Sequence, residues 1–342
     1  MSSRISVRIV TTKKFADHQG HNLLARHLGA SSWKISGWDG TGFQRLVSWL
    51  LRKIPAYRAL SPAVSYQVFF VNVLSRFCAR GELLHLIWGD ELLRHLSQPN
   101  RCIVTLHQPF ELWSETAWRQ ISACAGVVCM ADRECQEIRR RFPQVPCVFI
   151  PHGIDIEFWR PVGEPPRRQI CAVGRYMRNF EMMVRVARVL LDRHPDLTFR
   201  WLVNPDFKVP PAITAILPPE RFEVVRDLSP AALHRFYAES WLFCAPYNNI
   251  TASNAIVESM ATGTPVFTTR VGGISSYAGD GAITLVENDD DAAMIAAVTR
   301  CLASLQVRDD LSQRARDHAK QYFSWPVVVT AHESFYNHLL QA

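Results

Sequence analysis

Residues Tyr247 to Gly273 read YNNITASNAIVESMATGTPVFTTRVGG, and this stretch decides the fold. It follows a short apolar run, Trp241 to Pro246, whose closing Pro suits the exit of a buried strand. Thr251 or Ser253 can cap a helix, which Asn254 to Thr262 continues with Ala, Ile, Val and Met. Gly263 closes that helix, and Thr264-Pro265 prevents its extension. Val266 to Thr269 is the next strand, and Gly272-Gly273 opens another loop. A helix that starts at the carboxyl end of a parallel strand presents unpaired amides and the positive end of its dipole. That is a ready site for a diphosphate. Glu258 lies about one and a half turns in, near enough for its carboxylate to reach ribose hydroxyls beside such a phosphate. An ordinary αβ unit with a surface Glu has the same spacing, so the residues alone leave both readings open.

The same alternation runs outward in both directions. Towards the N-terminus, Arg221 to Val225, Leu197 to Val203 and Gln169 to Val173 read as strands, with a helix from about Asn179 to Arg193 and another from Ala231. Further back, the run from Cys147, Gly126 to Met130 and Ile5 to Thr12 are strand-like, and Cys102 to Pro109 and Leu83 to Gly89 read as buried strands with loops after them. A helix is expected over Ala131 to Arg141, where Arg139, Arg140 and Arg141 complement the dipole at its end. Towards the C-terminus, Ser275 to Gly279 reads as a short helix, Ala282 to Val286 as a strand and Asp290 to Leu305 as one helix. Asp289 to Asp291 reads as a helix cap. Strand and helix alternating throughout is the mark of an α/β protein.

The totals agree. At 342 residues, two domains are the natural expectation. Hydrophobic content of 48% against 20% charged residues describes a globular protein with a large core. No run reaches the roughly 18 apolar residues of a spanning helix, and MSSRISVRIVTT lacks a secretory pattern. The 9 cysteines are scattered, and Cys124, Cys129 and Cys135 form no CxxC pair, so a reducing cytoplasm is expected, without zinc or a disulfide frame. A net charge of +7 suits anionic partners such as nucleotide sugars or phospholipid surfaces. Nucleic acid is not expected, because no zinc-finger, RNP-like or helix-turn-helix signature occurs.

The stretch from Ser253 to Gly273 resembles the signature of family-four retaining glycosyltransferases of the GT-B fold: Glu, seven residues, Glu, a small-residue helix end, Gly-Thr-Pro-Val and a Gly-Gly loop. Glu258 matches the second Glu, which in the family holds the nucleotide ribose. Ile250 stands where the first should be, with Asn249 one position off. The resemblance is strong from Cys147, moderate near His107 and weak before about Leu83. It implies two doubly wound Rossmann-like domains facing a cleft, here 1–152 and 153–324. The last helix, 325–342, is expected to pack back on the first domain. It also implies transfer of a sugar from a nucleotide diphosphate sugar to an acceptor hydroxyl, with retention of configuration. In the family the loop after the strand Gln169 to Val173 supplies an Arg and a Lys to the donor diphosphate. Arg175 matches the Arg, and Arg178 fills the Lys position if two loop residues are deleted; Gly174 begins the same loop. Two cations there bind the diphosphate and hold the charge that grows as the glycosidic bond breaks. Amides near Ser253, Asn254 and Ala255 would share that load. The loop Arg226 to Pro230, with Arg226 and Leu228, corresponds to one that lies against the nucleobase. Asp155 to Trp159 follows the family's crossing between domains and reads as an interdomain contact.

His107 ends a strand, at the edge that faces the ligand crevice in open α/β sheets. A lone His is more often structural, yet TLHQP resembles the family segment whose His lines the cleft near the transferred sugar. Trp88, Gly89 and Asp90 end the preceding strand and are candidates for acceptor contact. Gly20, between His18 and His21, sits in the first strand-to-helix loop, where a Gly lets the backbone approach a ligand. No GxGxxG occurs, so a dinucleotide fingerprint is not supported. No carboxylate pair of the DxD kind stands at a suitable place, and neither cofactor nor metal is expected.

Residues Phe43 to Arg58 (FQRLVSWLLRKIPAYR) interleave apolar residues with Arg45, Arg52, Lys53 and Arg58. Such a helix can lie on an anionic membrane face; it can equally be a packed helix with snorkelling arginines. A lipid-linked or cell-envelope glycan acceptor is expected on these grounds, with a soluble one as the alternative. Ile250 favours one other reading, a catalytically silent GT-B binding subunit; a nucleotide-sugar epimerase is a further alternative, which would need a different acid/base set than the residues offer.

Overall fold

The computed structural model describes residues 7–10, 23–28, 41–77, 82–163 and 167–341. By contacts it divides into two units, Met1–Gly153 with Trp325–Ala342, and Ile154–Ser324. Gly153 stays with the first unit because it packs so closely on Trp325 that an added Cβ would press into the indole. Each unit has its own parallel sheet.

In the first unit β1 (Val7–Val10), β2 (Leu83–Leu86), β3 (Cys102–Leu106), β4 (Gly126–Cys129) and β5 (Cys147–Phe149) lie side by side in sequence order, all parallel. The helices are α1 (Leu24–His27), α2 (Gly42–Leu51), α3 (Pro55–Arg58), α4 (Pro62–Phe77), α5 (Gly89–Leu92), α6 (Glu115–Ile121) and α7 (Asp132–Arg141). The strands are near-continuous apolar runs because both faces are covered. Alternation divides them: Cys102, Val104 and Leu106 face one core with Trp118 and Ile138, while Ile103 and Val128 face another with Trp325, Val328 and Tyr336. A polar link crosses the second core. His85 bonds Thr105 on one side and Tyr336 on the other, each at 2.7 Å, and all three are buried.

The expected helix over Phe43 to Arg58 is two elements. α2 stops at Leu51, and Ile54 is extended ahead of Pro55, which starts α3. A residue before Pro is pushed out of the helical region, which accounts for the break.

The second unit holds β6 (Arg167–Val173), β7 (Thr198–Val203), β8 (Phe222–Arg226), β9 (Ser240–Cys244), β10 (Val266–Thr269) and β11 (Ile283–Val286). Their spatial order is β11-β10-β9-β6-β7-β8, all parallel. Between them run α8 (Phe180–Arg193), α9 (Pro211–Thr214), α10 (Pro230–Ala238), α11 (Asn254–Ala261), α12 (Asp291–Ala303) and α13 (Leu305–His318). The chain returns to the first unit as α14 (Trp325–Gln341). The single helix expected from Asp290 to Leu305 ends at Ala303, because Ser304 is extended and its hydroxyl caps α13 at the Val307 amide. Asp290 caps α12 at Ala293.

From β6 the chain steps one way to β7 and β8; from β9 it steps the other way to β10 and β11. The order reverses between β6 and β9, and in open α/β sheets the crevice outside the carboxyl ends at such a switch is where ligands bind.

Candidate functional site

The loops that leave β6 and β9 at this switch are stitched together. The Asn179 amide donates to the Pro246 carbonyl at 3.0 Å and the Asn248 amide to Met177 at 2.8 Å. Arg178 and Tyr247 form an antiparallel bridge. Asn179 caps α8 at Met182, and its amide nitrogen reaches Asn288 and Asp289. From β7, the buried Trp201 donates its indole N–H to the Gly174 carbonyl at 2.9 Å. Gly174 has φ +87, a conformation that favours glycine. Met177 has φ +57, a strained value for a side chain of its size, held by the contacts on either side.

A pocket of about 420 Å³ opens on these loops, lined by residues that include Gly174, Arg175, Arg178, Ser253, Asn254 and Ala255. Six expected donor-side residues therefore share one wall. Ser253 precedes α11 but does not cap it. The expected capping bond is absent because its hydroxyl is engaged with the Tyr247 hydroxyl at 2.7 Å. Thr251 is buried with its hydroxyl unbonded, so it does not cap either. The first turn of α11 thus keeps its amides for something other than its own side chains.

Arg178 carries the strongest signal. Its guanidinium stacks 3.7 Å from the Tyr247 ring centroid, and Nη2 donates to the Val173 carbonyl. Nε and Nη1 are buried with no partner. Burial pulls its pKa down to about 9, which still leaves it charged at neutral pH. A buried, unpaired cation is costly and calls for an anion. Arg175 is exposed on the same loop, 5.5 Å from the Phe207 ring.

Glu258 is not among the lining residues. It sits on the buried side of α11, where the Tyr237 hydroxyl of α10 donates to its Oε2 at 3.0 Å. Burial pushes its pKa up to about 7, and the Tyr237 hydrogen bond opposes the rise. Ile250 does line the pocket, so an alkyl side chain stands where a carboxylate was sought. Asn249 does not; its side-chain oxygen is buried without a partner against Gly272. Gly272 itself has φ +53 and lies so close to the Ile250 carbonyl that no Cβ fits. Arg226 and Leu228 lie outside the lining: Arg226 is exposed and donates to the Phe207 carbonyl at 3.0 Å, and Asp227 turns the chain at φ +55.

His107 belongs to the first unit. The Asp90 carboxylate accepts from the amides of His107 and Gln108 at 2.8 and 3.1 Å, and lies 3.5 Å from the His107 Nδ1. The imidazole stacks on Trp88 at 4.2 Å. Trp88 and Asp90 thus position His107. His152 joins this group, its ring 5.9 Å from that of His107, and burial and the His107 charge bring its pKa down to about 3. Sequence alone assigns His152 no site role, because β5, which brings it there, meets His107 only through the pairing of the sheet. Gly20 lies outside the described residues.

Among the described residues, Cys129, Cys135 and Cys147 are the group that can hold a metal ion. Cys147 approaches Cys135 at 2.9 Å and Cys129 at 3.6 Å, so the cysteines that gather are not the three that sequence proximity picked out. All three are thiols of the first unit, a soft ligand set unlike the oxygen ligands that magnesium takes. The pocket at the switch has no carboxylate in its lining.

Residues 167–304 match the family described as glycosyl transferases group 1. The chain is 26% identical over 290 residues to D-inositol 3-phosphate glycosyltransferase of Corynebacterium aurimucosum, covering 75% of this chain and 68% of that one. Across such curated relatives the chain spans from 40% to 68% of their length. Among solved structures, sucrose-phosphate synthase from Thermosynechococcus elongatus superposes with a TM-score of 0.73 at 16% identity, covering 98% of this chain and 99% of that one. Anabaena HepE in complex with UDP and glucose gives 0.71 at 13% identity, over 96% and 98%.

Proposed function

We propose that the chain is a glycosyltransferase of the group 1 kind on a GT-B fold, and that it moves a sugar from a nucleoside diphosphate sugar to the hydroxyl of a glycan or lipid-linked acceptor. The observation that carries this reading is the buried Arg178, with two unpartnered guanidinium nitrogens at a pocket walled by the α11 N-terminus.

In this reading the diphosphate lies across the first amides of α11, at Ser253, Asn254 and Ala255, with Gly174 allowing close approach. Arg178 and Arg175 pair with its oxygens. As the bond from the anomeric carbon to the phosphate oxygen breaks, negative charge grows on the leaving diphosphate. The two cations and the amides stabilise that charge more than the ground state, which is what accelerates the step. They fill the part a divalent metal plays elsewhere, so transfer is metal-independent. The family resemblance gives the ribose to Glu258, whose Oε2 Tyr237 holds. His107 orients the donor sugar, and the family resemblance makes the transfer retaining. Work at the inner face of a cell membrane, in envelope or exported glycan synthesis, fits the positive charge of the chain. The UDP held by HepE makes uracil the first base to try.

A thermal-shift panel of UDP, GDP, ADP and CMP with their sugar conjugates tests this. One nucleotide should stabilise the fold, by about 2.7 kcal/mol at 100 times its dissociation constant. Arg178→Met and Arg175→Ala should each weaken that nucleotide by roughly 100-fold or more and lower turnover, on the scale of about 3 kcal/mol for one lost donor in other enzymes. No response to any nucleotide, with Ile250 in the pocket, would favour the catalytically silent subunit.

A further inference from the structure

The α2 helix turns most of its large apolar residues to water. Its inward face carries Gln44, Ser48 and Leu51, all buried, and the Ser48 hydroxyl bonds Ser65 at 3.0 Å and the Pro62 carbonyl at 2.8 Å on α4. Its outward face carries Phe43, Leu46 and Leu50 at i, i+3 and i+7, with Trp49 adjoining. These four are 67%, 54%, 49% and 57% exposed. Ile54, just past the helix, is exposed as well. Soluble surface helices bury the apolar stripe and show the polar one. Large exposed apolar patches rimmed by polar groups mark a docking surface.

The rim identifies the occupant. Arg45, Arg52, Lys53 and Arg58 are all exposed around this face. From 41 to 77 the chain has no Asp or Glu. The Lys53 ammonium sits 3.7 Å from the centre of the Trp49 ring, so a cation and an aromatic ring stand together at the edge of the patch. Trp, Phe and Leu beside Lys and Arg are the composition of helices that lie in the plane of a bilayer interface. A second copy of the same face would bring cations onto cations. No helix among the described residues is long and apolar enough to cross a membrane.

We propose that α2, continued by Ile54 and the start of α3, is a membrane-docking element that inserts Phe43, Leu46, Trp49 and Leu50 among anionic lipids while its basic residues meet the headgroups. It rests on the proposed reading only for the lipid-side acceptor; the docking itself needs no donor.

Flotation with vesicles of phosphatidylcholine, with and without phosphatidylglycerol, tests it on the full chain. The wild type should float with the anionic vesicles, less at high salt, and its tryptophan fluorescence should shift to the blue by an amount that Trp49→Gln removes. Arg45→Gln/Arg52→Gln should weaken binding by roughly 30-fold, from the contribution of each cation near an anionic surface. Leu46→Gln/Trp49→Gln should abolish it at every salt concentration. Both variants change exposed residues, so an unchanged melting temperature and unchanged nucleotide response keep the result interpretable. A wild type that does not float, or variants that float as it does, overturns the proposal. So does a wild type that self-associates through this face, with Leu46→Gln/Trp49→Gln becoming monomeric. A nucleotide response without flotation sinks the docking alone; flotation without a nucleotide response sinks the transfer reading alone.

Discussion

At the scale of single residues, the second unit stores electrostatic cost in two buried groups of opposite sign, Arg178 at the pocket and Glu258 behind α11. Arg178 is held charged without a partner, and Glu258 is held where ionisation is opposed. The Glu258 carboxyl titrates near 7 in the folded chain against 4.5 for an ordinary Glu. The folded state therefore prefers the protonated form, and that preference is fully present below pH 4.5 and lost as the pH rises through 7. Glu258→Gln keeps an acceptor for Tyr237 and removes the ionisation. It should melt like the wild type at pH 4.5 and below, and be more stable above pH 7 by up to about 3 kcal/mol. Turnover should fall all the same if the carboxylate takes the ribose. An unaltered difference between acid and alkaline melting would show that Glu258 is solvated and ionised in the folded chain.

At the scale of elements, the loop after β10 is locked onto the turn that ends at Ile250. The Gly273 amide donates to the Ile250 carbonyl at 2.7 Å, and Gly272 leaves no room for a Cβ. Gly272→Ala combines a left-handed backbone with a backbone clash, so it should cost at least the roughly 1–3 kcal/mol of a strained residue. It should also displace Ile250 from the pocket. Denaturant midpoints and nucleotide affinity read the two effects separately. The elements here were legible in the sequence because Gly263, Pro265 and Gly272-Gly273 punctuate them, and each does the job its chemistry implies. What was not legible depends on partners from other elements. Ser253 looks like a cap until Tyr247 claims its hydroxyl. Glu258 looks like a surface residue until α10 brings Tyr237 against it. Arg178 is placed at the pocket by correspondence, but its burial is not legible until the turn at Met177 brings it against the Val173 carbonyl. Arg226 and Leu228 were placed by correspondence alone, and nothing local tied them to the pocket.

At the scale of the whole molecule, the two units have separate sheets and separate cores, so damage to one should appear in its own unfolding transition. Tyr336→Phe leaves one nitrogen of the buried His85 without its partner at a cost of about 1–3 kcal/mol. Calorimetry should place that loss in the transition of the first unit and leave the nucleotide-dependent transition where it was. A shift in the nucleotide-dependent transition instead would mean that the units melt together. The return of α14 to the first unit also bears on how the chain is made. A ribosome delivers Trp325–Gln341 only after the second unit, so Ile9, Ile103, Val128 and Ile150 await their apolar cover until Ile154–Ser324 has been made. The segment from Ile154 to Ser324 is continuous and can close while that happens. Domains usually fold in the order they emerge; here the one that begins first is completed second.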